Sequence, residues 1–304
     1  MREGPGRLML VKSRQTSIIS DLTALRLRIA TLFWQTLVIA RRAERPPQRI
    51  FFLHIPKTGG MTVQQYLTCC FGGKRGGRRC KLGEIYLNQP PSERKIERAR
   101  NSHFICGHYS WASVDRIGVR EEDYLFTFLR EPHSRLRSLY RVMTNYPTDH
   151  LTNAVMSRVE RCRDMSQVDM FTTSDLDLRN MIDNYMVRQL AGRLTDYPFP
   201  ESEWPRLLET AKRNLRRLNY IGFQETYERD FKAVLLDLNL PCLPVIPRDN
   251  ATDDVIRRAW IRGKAHREKP AEVLAAMAPL VRWDDALYDY ARQLRSASIS
   301  ESAG

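Results

Sequence analysis

The chain has 304 residues, and 42% of them are hydrophobic, which is enough to support a folded globular core. Its 49 lysines and arginines outnumber its 35 aspartates and glutamates, giving a formal net charge of +14 that favours nucleic acid, anionic lipid or an acidic polymer as a partner. The six cysteines form no C-x-x-C pair, which argues against a zinc ribbon, a redox pair or a disulfide scaffold.

Residues 1–48 are predicted to form an N-terminal helical arm that ends in a proline-containing linker at residues 44–48. Its most apolar stretch, residues 29–40, is shorter than the roughly 20 residues of a transmembrane helix, and arginines flank it. No secretory signal pattern precedes it. We therefore expect a cytoplasmic or peripheral membrane protein. The sequence leaves open whether the arm contacts a membrane surface, the domain itself or a second copy of the chain.

The most informative segment follows the arm, where an apolar strand runs into the sequence HIPKTGG (residues 54–60). Two adjacent glycines allow a tight turn in which several N–H groups face one anion. The helix predicted to follow presents its positive N-terminal end to the same place. We predict a phosphate-binding loop in which Lys57 supplies a charge, hydroxyl groups supply donors and the backbone supplies N–H groups, formed by Lys57, Thr58, Gly59, Gly60 and Thr62.

This loop differs from the common ATP-binding loop. There, a lysine follows the last glycine, and the adjacent serine or threonine binds magnesium. Here Lys57 precedes both glycines, so the usual magnesium arrangement is missing. We therefore expect phosphate binding and no metal site.

Strands and helices alternate along the rest of the chain. Strands are predicted at residues 50–55, 102–106, 124–129 and 220–223, and helices at residues 133–145, 175–192, 203–217, 225–238 and 271–294. This order predicts an α/β fold with a mostly parallel sheet flanked by helices, in a domain of residues 49–295. Because ligands bind at the C-terminal ends of such strands, we expect Lys57, His108 and Arg130 to meet in one crevice.

Three further segments are predicted to be irregular. Residues 74–81 are basic and glycine-rich, and residues 241–250 are rich in proline, so we expect loops at both places. Residues 296–304 are predicted to form a disordered tail. A disulfide between Cys80 and Cys162 is left open by the sequence.

A second motif, FTFLREPHSRLRSLY (residues 126–140), joins the end of a strand to the start of a helix. Together with HIPKTGG, it resembles the donor-binding motifs of sulfotransferases that use 3′-phosphoadenosine-5′-phosphosulfate (PAPS). The resemblance is to the family that includes heparan sulfate 2-O-sulfotransferases and their bacterial relatives. Weaker similarities at residues 183–192, 220–223 and 283–288 extend it over roughly residues 49–293.

The resemblance implies a role for each motif. HIPKTGG would bind the 5′-phosphosulfate, and Lys57 would also offset the charge that develops on the leaving phosphate. Arg130 and Ser138, which have the family's spacing, would bind the 3′-phosphate. A guanidinium suits this task because its paired N–H groups match phosphate oxygens.

The same resemblance implies the catalytic base. In the family, a histidine in a Gly-His-x-Ser segment ahead of the 3′-phosphate motif takes this role, and His108 in GHYS (residues 107–110) occupies that position. An imidazole with a pKa near its ordinary value of 6.5 can accept a hydroxyl proton at neutral pH. Some family members carry a second histidine two residues earlier, where this chain has Cys106.

Two residues are weaker candidates for substrate binding. His54 lies inside the phosphate-loop motif, where donor or acceptor is within reach. Arg188 lies on the predicted helix of residues 175–192 and suits an acidic acceptor or the nucleotide, with a structural salt bridge as an equal alternative.

These features predict a PAPS-dependent O-sulfotransferase that transfers a sulfuryl group to a hydroxyl acceptor by in-line displacement. The acceptor class we expect is a carbohydrate, and an acidic glycan would suit the basic chain; no specific nucleic-acid partner is expected. One alternative is a nucleotide kinase or hydrolase of the phosphate-loop class, which the missing magnesium arrangement opposes. The other is a non-catalytic protein that binds anionic polymers, which explains the charge but not the ordered motifs. The oligomeric state is left open.

Overall fold

A computed structural model describes residues 49–71, 74–75, 78–79, 82–84, 91–145, 153–240, 242 and 266–302. The predicted arm of residues 1–48 lies outside them, as does the predicted proline-rich loop apart from residue 242. The arm and its contacts therefore stay predictions. Within the described ranges, no helix has the length and apolar character needed to cross a bilayer.

Seven strands are present in the described residues. They are β1 (Ile50–Leu53), β2 (Lys74–Arg75), β3 (Arg78–Arg79), β4 (Leu82–Glu84), β5 (Phe104–Gly107), β6 (Tyr124–Leu129) and β7 (Tyr220–Phe223). Five of them form one sheet in the order β4-β5-β1-β6-β7, and every pairing in it is parallel. The predicted α/β fold with a parallel sheet is confirmed.

The short strands β2 and β3 pair antiparallel with each other. They lie inside the segment of residues 74–81 that the sequence predicts to be a loop, so that prediction is wrong for these two short strands. Strands of two residues carry too little alternation of polar and apolar side chains to be recognised in a glycine-rich basic segment.

The helices flank this sheet. Their bounds are α1 (Gly60–Phe71), α2 (Glu93–Arg100), α3 (Trp111–Ile117), α4 (Pro132–Asn145), α5 (Asn153–Cys162), α6 (Gln167–Thr172), α7 (Leu176–Ile182), α8 (Tyr185–Leu190), α9 (Trp204–Leu215), α10 (Tyr227–Asp237) and α11 (Pro270–Ser302). Short 3-10 turns precede α9 and α10, at Glu201–Glu203 and Gln224–Thr226.

The central strand β1 sets the position of the site. All four of its residues are completely buried, as expected of a strand with neighbours on both sides and helices on both faces. Its last residue, Leu53, lies in register with Gly107 of β5 and Thr127 of β6. The Thr127 hydroxyl donates to the Leu53 carbonyl oxygen over 2.7 Å. The chain therefore leaves β1 and β5 at the same edge of the sheet.

The single helix predicted at residues 175–192 is two helices, α7 and α8. Asn184 separates them with a left-handed φ of 41°, a conformation that asparagine tolerates better than most residues. Asn184 is hydrogen-bonded to α11 next to Pro279. Its side-chain nitrogen donates to the Pro279 carbonyl oxygen, and its backbone N–H donates to the Leu280 carbonyl oxygen.

Hydrogen bonds also run from α11 to Asn184 and from α8 to α11. The Asn184 side-chain oxygen accepts from the N–H groups of Trp283 and Asp284. The buried Asp284 carboxylate in turn accepts from the N–H groups of Met186 and Val187, in the first turn of α8. These bonds fix α8, which lies behind the site, against α11.

Two smaller differences from the sequence remain. Helix α11 continues to Ser302, so the tail predicted from residue 296 is helical for most of its length. Extending a helix that is already packed costs far less than starting one, which explains why a polar, serine-rich segment follows it. Cys162 is a buried free thiol, so the disulfide with Cys80 is not made.

Candidate active site

The loop between β1 and α1 carries an unusual backbone conformation at its cation. Lys57 has a φ of 73°, and Gly59 has a φ of 89°. The left-handed region costs a residue with a Cβ roughly 1–2 kcal/mol, so Lys57 is held in a strained position. Thr58 is completely buried, and its hydroxyl donates to the Ile55 carbonyl oxygen over 2.8 Å. That hydroxyl therefore braces the loop, and the predicted binding of phosphate by Thr58 stays a prediction.

Both glycines of the loop are needed for close packing. A Cβ on residue 60 would lie 2.1 Å from Cδ2 of His54, a separation that no real contact reaches. A Cβ on residue 59 would lie 3.2 Å from the ring of Tyr227. Helix α1 begins at Gly60, and the first N–H groups of a helix have no partner within it. The loop thus ends in backbone donors suited to an anion, with Thr62 buried in the first turn.

Arg130 follows β6 and contacts this loop. Its Nη1 donates to the Lys57 carbonyl oxygen over 3.2 Å, and its buried Nε has no hydrogen-bond partner among the described residues. Burial and the nearby charge of Arg130 lower the pKa of Lys57 to about 8. Burial likewise lowers the pKa of Arg130. Two cations therefore lie close together, and a bound anion would stabilise both.

His108 follows β5 and lies half-buried beside His54. Its Nδ1 is 3.0 Å from the carbonyl oxygen of His54. A carbonyl oxygen only accepts, so Nδ1 carries the hydrogen and Nε2 carries the free electron pair of a base. The two imidazole rings lie 4.3 Å apart between centroids, tilted by 32°.

The surroundings keep both imidazoles neutral. Burial lowers the pKa of His108 to about 4, aided by the charge of Lys57 and opposed by the bond to His54. The ordinary value near 6.5 expected from the sequence is therefore wrong for this environment. Burial, His108 and Lys57 also hold the pKa of His54 well below its usual range. The positive charge of Lys57 contributes to both pKa shifts, so Lys57 lies near both histidines.

His54 lies beneath the surface beside His108 and is only 3% exposed. Its ring stacks on Phe52 of β1, with 5.3 Å between centroids and 12° between planes. Its Nδ1 is buried without a hydrogen-bond partner in the part of the chain that the structure describes. His54 thus contacts His108 in two ways: its ring lies against the His108 ring, and its carbonyl oxygen accepts from Nδ1 of His108.

Of the other two predicted residues, Ser138 lies in the second turn of α4 and is 5% exposed. Arg188 does not join the group. It is completely buried on α8, and its guanidinium donates to the Asp183 carbonyl oxygen and to Asn180. The guanidinium also lies 4.7 Å from the ring centroid of Tyr197. These bonds join α7 to α8, as the structural alternative expects, and a substrate-binding role of Arg188 stays a prediction.

Gln189, one residue further along α8, is a member of the site that sequence reasoning did not single out. Its side-chain nitrogen donates to the His54 carbonyl oxygen over 3.2 Å and to the Tyr109 carbonyl oxygen over 2.9 Å. The local sequence around Gln189 carries no signal of such a role, because both partners lie 80 or more residues away.

Three potential metal ligands come together next to Arg130: Glu131, His133 and Asp285, with ligand atoms within 4.8 Å of one another. The Glu131 carboxylate already accepts from the N–H groups of His133 and Ser134. These bonds close the first turn of α4, which is the usual work of an acidic residue at a helix N-terminus. The group is thus explained as a helix cap.

Comparison with known proteins identifies the chain at the level of a family. A family model described as "Sulfotransferase family" matches residues 44–290, which include the loop, His108, Arg130 and Ser138. No curated protein matches the chain.

Proposed function

Because this chain belongs to the sulfotransferase family, we propose that it transfers a sulfuryl group from PAPS to a hydroxyl group of a carbohydrate acceptor. One arrangement supports this proposal most strongly. Lys57 and Arg130 share a hydrogen bond at the N-terminus of α1, and a neutral imidazole, His108, lies in the same electrostatic neighbourhood. Two adjacent cations suit a donor with several phosphate charges, and an imidazole with a free Nε2 suits removal of a hydroxyl proton.

The residues present fit PAPS as the donor. The buried Arg130 Nε has no hydrogen-bond partner in the described part of the chain, and a phosphate oxygen would supply one. Arg130 and Ser138 would hold the 3′-phosphate, while Lys57 and the N–H groups of residues 58–60 would hold the 5′-phosphosulfate. When bound, PAPS supplies a sulfuryl group that passes to the acceptor oxygen as its bond to the 5′-phosphate breaks.

Lys57 and His108 have different roles in the proposed reaction. The Lys57 ammonium, protonated below its pKa of about 8, neutralises negative charge at the phosphate end. Nε2 of His108 accepts the proton of the acceptor hydroxyl, since Nδ1 is engaged by His54. The negative charge of a donor would raise the pKa of both groups, because it favours their charged forms. His108 thus becomes a stronger base once the donor is bound.

The acceptor class is proposed on chemical grounds. Carbohydrates present many hydroxyl groups, and the net charge of +14 favours an acidic glycan over a neutral one. A kinase would need bound magnesium to neutralise its phosphates. Here the loop places Lys57 ahead of the glycines, and the Thr58 hydroxyl is bonded to Ile55. These features favour sulfuryl over phosphoryl transfer.

The experiment is an acceptor screen with sulfur-labelled PAPS. Acidic glycans, neutral glycans, lipids and small hydroxylated metabolites are incubated with the full chain, with and without a metal chelator. We expect label in an acidic glycan and release of 3′-phosphoadenosine 5′-phosphate (PAP), both unaffected by the chelator. Phosphate transfer from ATP with magnesium, in place of sulfate transfer, would contradict the proposal.

A further inference from the structure

The loops after β1 and β5 are tied together by one buried side chain. Gln189 is completely buried, and its Nε2 donates to both the His54 and the Tyr109 carbonyl oxygens. His54 is the residue whose carbonyl oxygen also accepts from Nδ1 of His108. Tyr109 is the next residue after His108. The single amide therefore fixes the backbone that holds His108 and the backbone to which its ring is bonded.

The orientation of this amide is dictated by its partners. Both are carbonyl oxygens, so only the nitrogen of Gln189 can face them. The side-chain oxygen, Oε1, faces away and is buried without a hydrogen-bond partner among the described residues. Leaving a buried polar atom unsatisfied is unfavourable. An apolar residue would avoid that cost, so the favourable contribution of this amide comes from the two bonds of its nitrogen.

We propose that Gln189 is a positioning residue for sulfuryl transfer: it locks His108 in the form with hydrogen on Nδ1 and the electron pair on Nε2. This inference rests on the proposed function. Without Gln189, the loops of residues 54–57 and 108–110 lose their common donor. The His108 ring then rotates away or exchanges its hydrogen between the two nitrogens. Displacing a reacting group by about 1 Å is enough to cost on the order of 100-fold in rate.

The test compares three variants of the full chain. Gln189→Met keeps the length of the side chain and removes the donor, and Gln189→Asn keeps the amide but shortens its reach. The matched control is Asn214→Leu. Asn214 is also a buried amide that donates to a backbone oxygen of α8, that of Leu190 over 2.8 Å, and its side-chain oxygen accepts from Arg217.

Three quantities are measured: turnover of PAPS, affinity for PAP, and the nitrogen chemical shifts of the His108 ring, which report where its hydrogen resides. In Gln189→Met we expect turnover to fall by roughly 10- to 100-fold with unchanged PAP affinity. We also expect the ring shifts to move from the Nδ1–H form toward a mixture. Asn214→Leu should lose stability but keep the parent's turnover and ring shifts. If Gln189→Met does not fold, Gln189→Asn carries the same expectations.

The outcomes separate this inference from the proposed function. The ring shifts need no turnover, so they test the role of Gln189 even if PAPS is not the donor. Parent-like ring shifts in a folded Gln189 variant would overturn the inference. So would equal loss of turnover in Asn214→Leu, because the effect would then be one of general stability.

Discussion

Arg130 donates a hydrogen bond from Nη1 to the backbone oxygen of Lys57 over 3.2 Å. The two residues are 73 positions apart in the chain, and the bond joins the loop after β6 to the loop after β1. Because the acceptor is a backbone oxygen, neither side chain loses its positive charge. The contact therefore holds the Arg130 guanidinium against the backbone of the loop that carries Lys57. We assign the two cations to the two ends of the donor.

The first prediction concerns the 3′-phosphate. PAP should bind more tightly than AMP, which lacks that group, and Arg130→Ala should remove most of the difference. A hydrogen bond to a charged group contributes about 1.5–3 kcal/mol, so PAP affinity should fall roughly 10- to 150-fold. Calorimetry with both nucleotides measures this, and Arg137→Ala, an exposed arginine of α4, is the control. Equal affinity of the parent for PAP and AMP would contradict a 3′-phosphate site at Arg130.

A second prediction follows from the left-handed backbone of Lys57. Lys57→Gly and Lys57→Ala both remove the charge, and both should lower turnover more than PAP affinity. They should differ in stability, because glycine adopts a φ of 73° freely and alanine does not. We expect the glycine variant to be more stable by about 1 kcal/mol in urea unfolding.

The matched pair for this measurement is Arg137→Gly and Arg137→Ala, in the interior of α4. There the order should reverse, because glycine destabilises a helix interior by about 1 kcal/mol relative to alanine. The same order at both positions would mean that Lys57 is not strained.

The third prediction is the pH profile of kcat/KM, which reports the free enzyme. His108 must be neutral to accept a proton, so activity should rise as pH increases through its pKa of about 4. Lys57 must be charged, so activity should fall as pH increases through about 8. Lys57→Arg, whose guanidinium does not titrate in this range, should lose the upper limb. A lower limb near 6.5 would show that the surroundings of His108 do not lower its pKa.

The profile of kcat should differ in a defined way. It reports the complex with substrate, in which the negative donor raises the pKa of both groups. Both limbs should therefore lie at higher pH than those of kcat/KM. Coincident limbs would place the donor away from these two residues.

A fourth prediction concerns the packing of Gly60 on His54. Gly60→Ala should destabilise the protein by about 1–3 kcal/mol, the usual cost of overpacking a core. His54→Ala removes the ring atoms that the new methyl group would meet. The double variant should therefore be more stable than the sum of the two single changes implies. Additive changes in the free energy of unfolding would contradict the close approach.

Much of this site could be predicted from the sequence because it lies at strand ends. The apolar residues of β1, the two glycines of the loop and the cations that follow the strands are local signals. Parallel strands place their C-terminal ends together. On that basis the sequence predicts that Lys57, His108 and Arg130 lie in one crevice. In the structure, Arg130 is bonded to the backbone of Lys57 and His108 to the backbone of His54, three residues before Lys57.

The features that the sequence did not predict depend on contacts in the folded chain that residue types alone do not specify. The break at Asn184 arises from its bonds to α11, about a hundred residues away. The pKa of His108 is set by burial, which a local motif does not specify. The Thr58 hydroxyl turns inward because Ile55 offers a carbonyl oxygen three residues before it. The roles of Arg188 and Gln189 likewise follow from their partners and not from their residue types.

We propose that this chain transfers a sulfuryl group from PAPS with His108 as the base. The rate of label transfer from PAPS to the best acceptor of the screen tests this mechanism when the parent is compared with His108→Ala. We predict that His108→Ala folds, binds PAP with parent affinity and transfers label roughly 10²–10⁴-fold more slowly, the range expected for loss of a general base. Transfer at a rate near the parent's by a folded His108→Ala variant would contradict the claim.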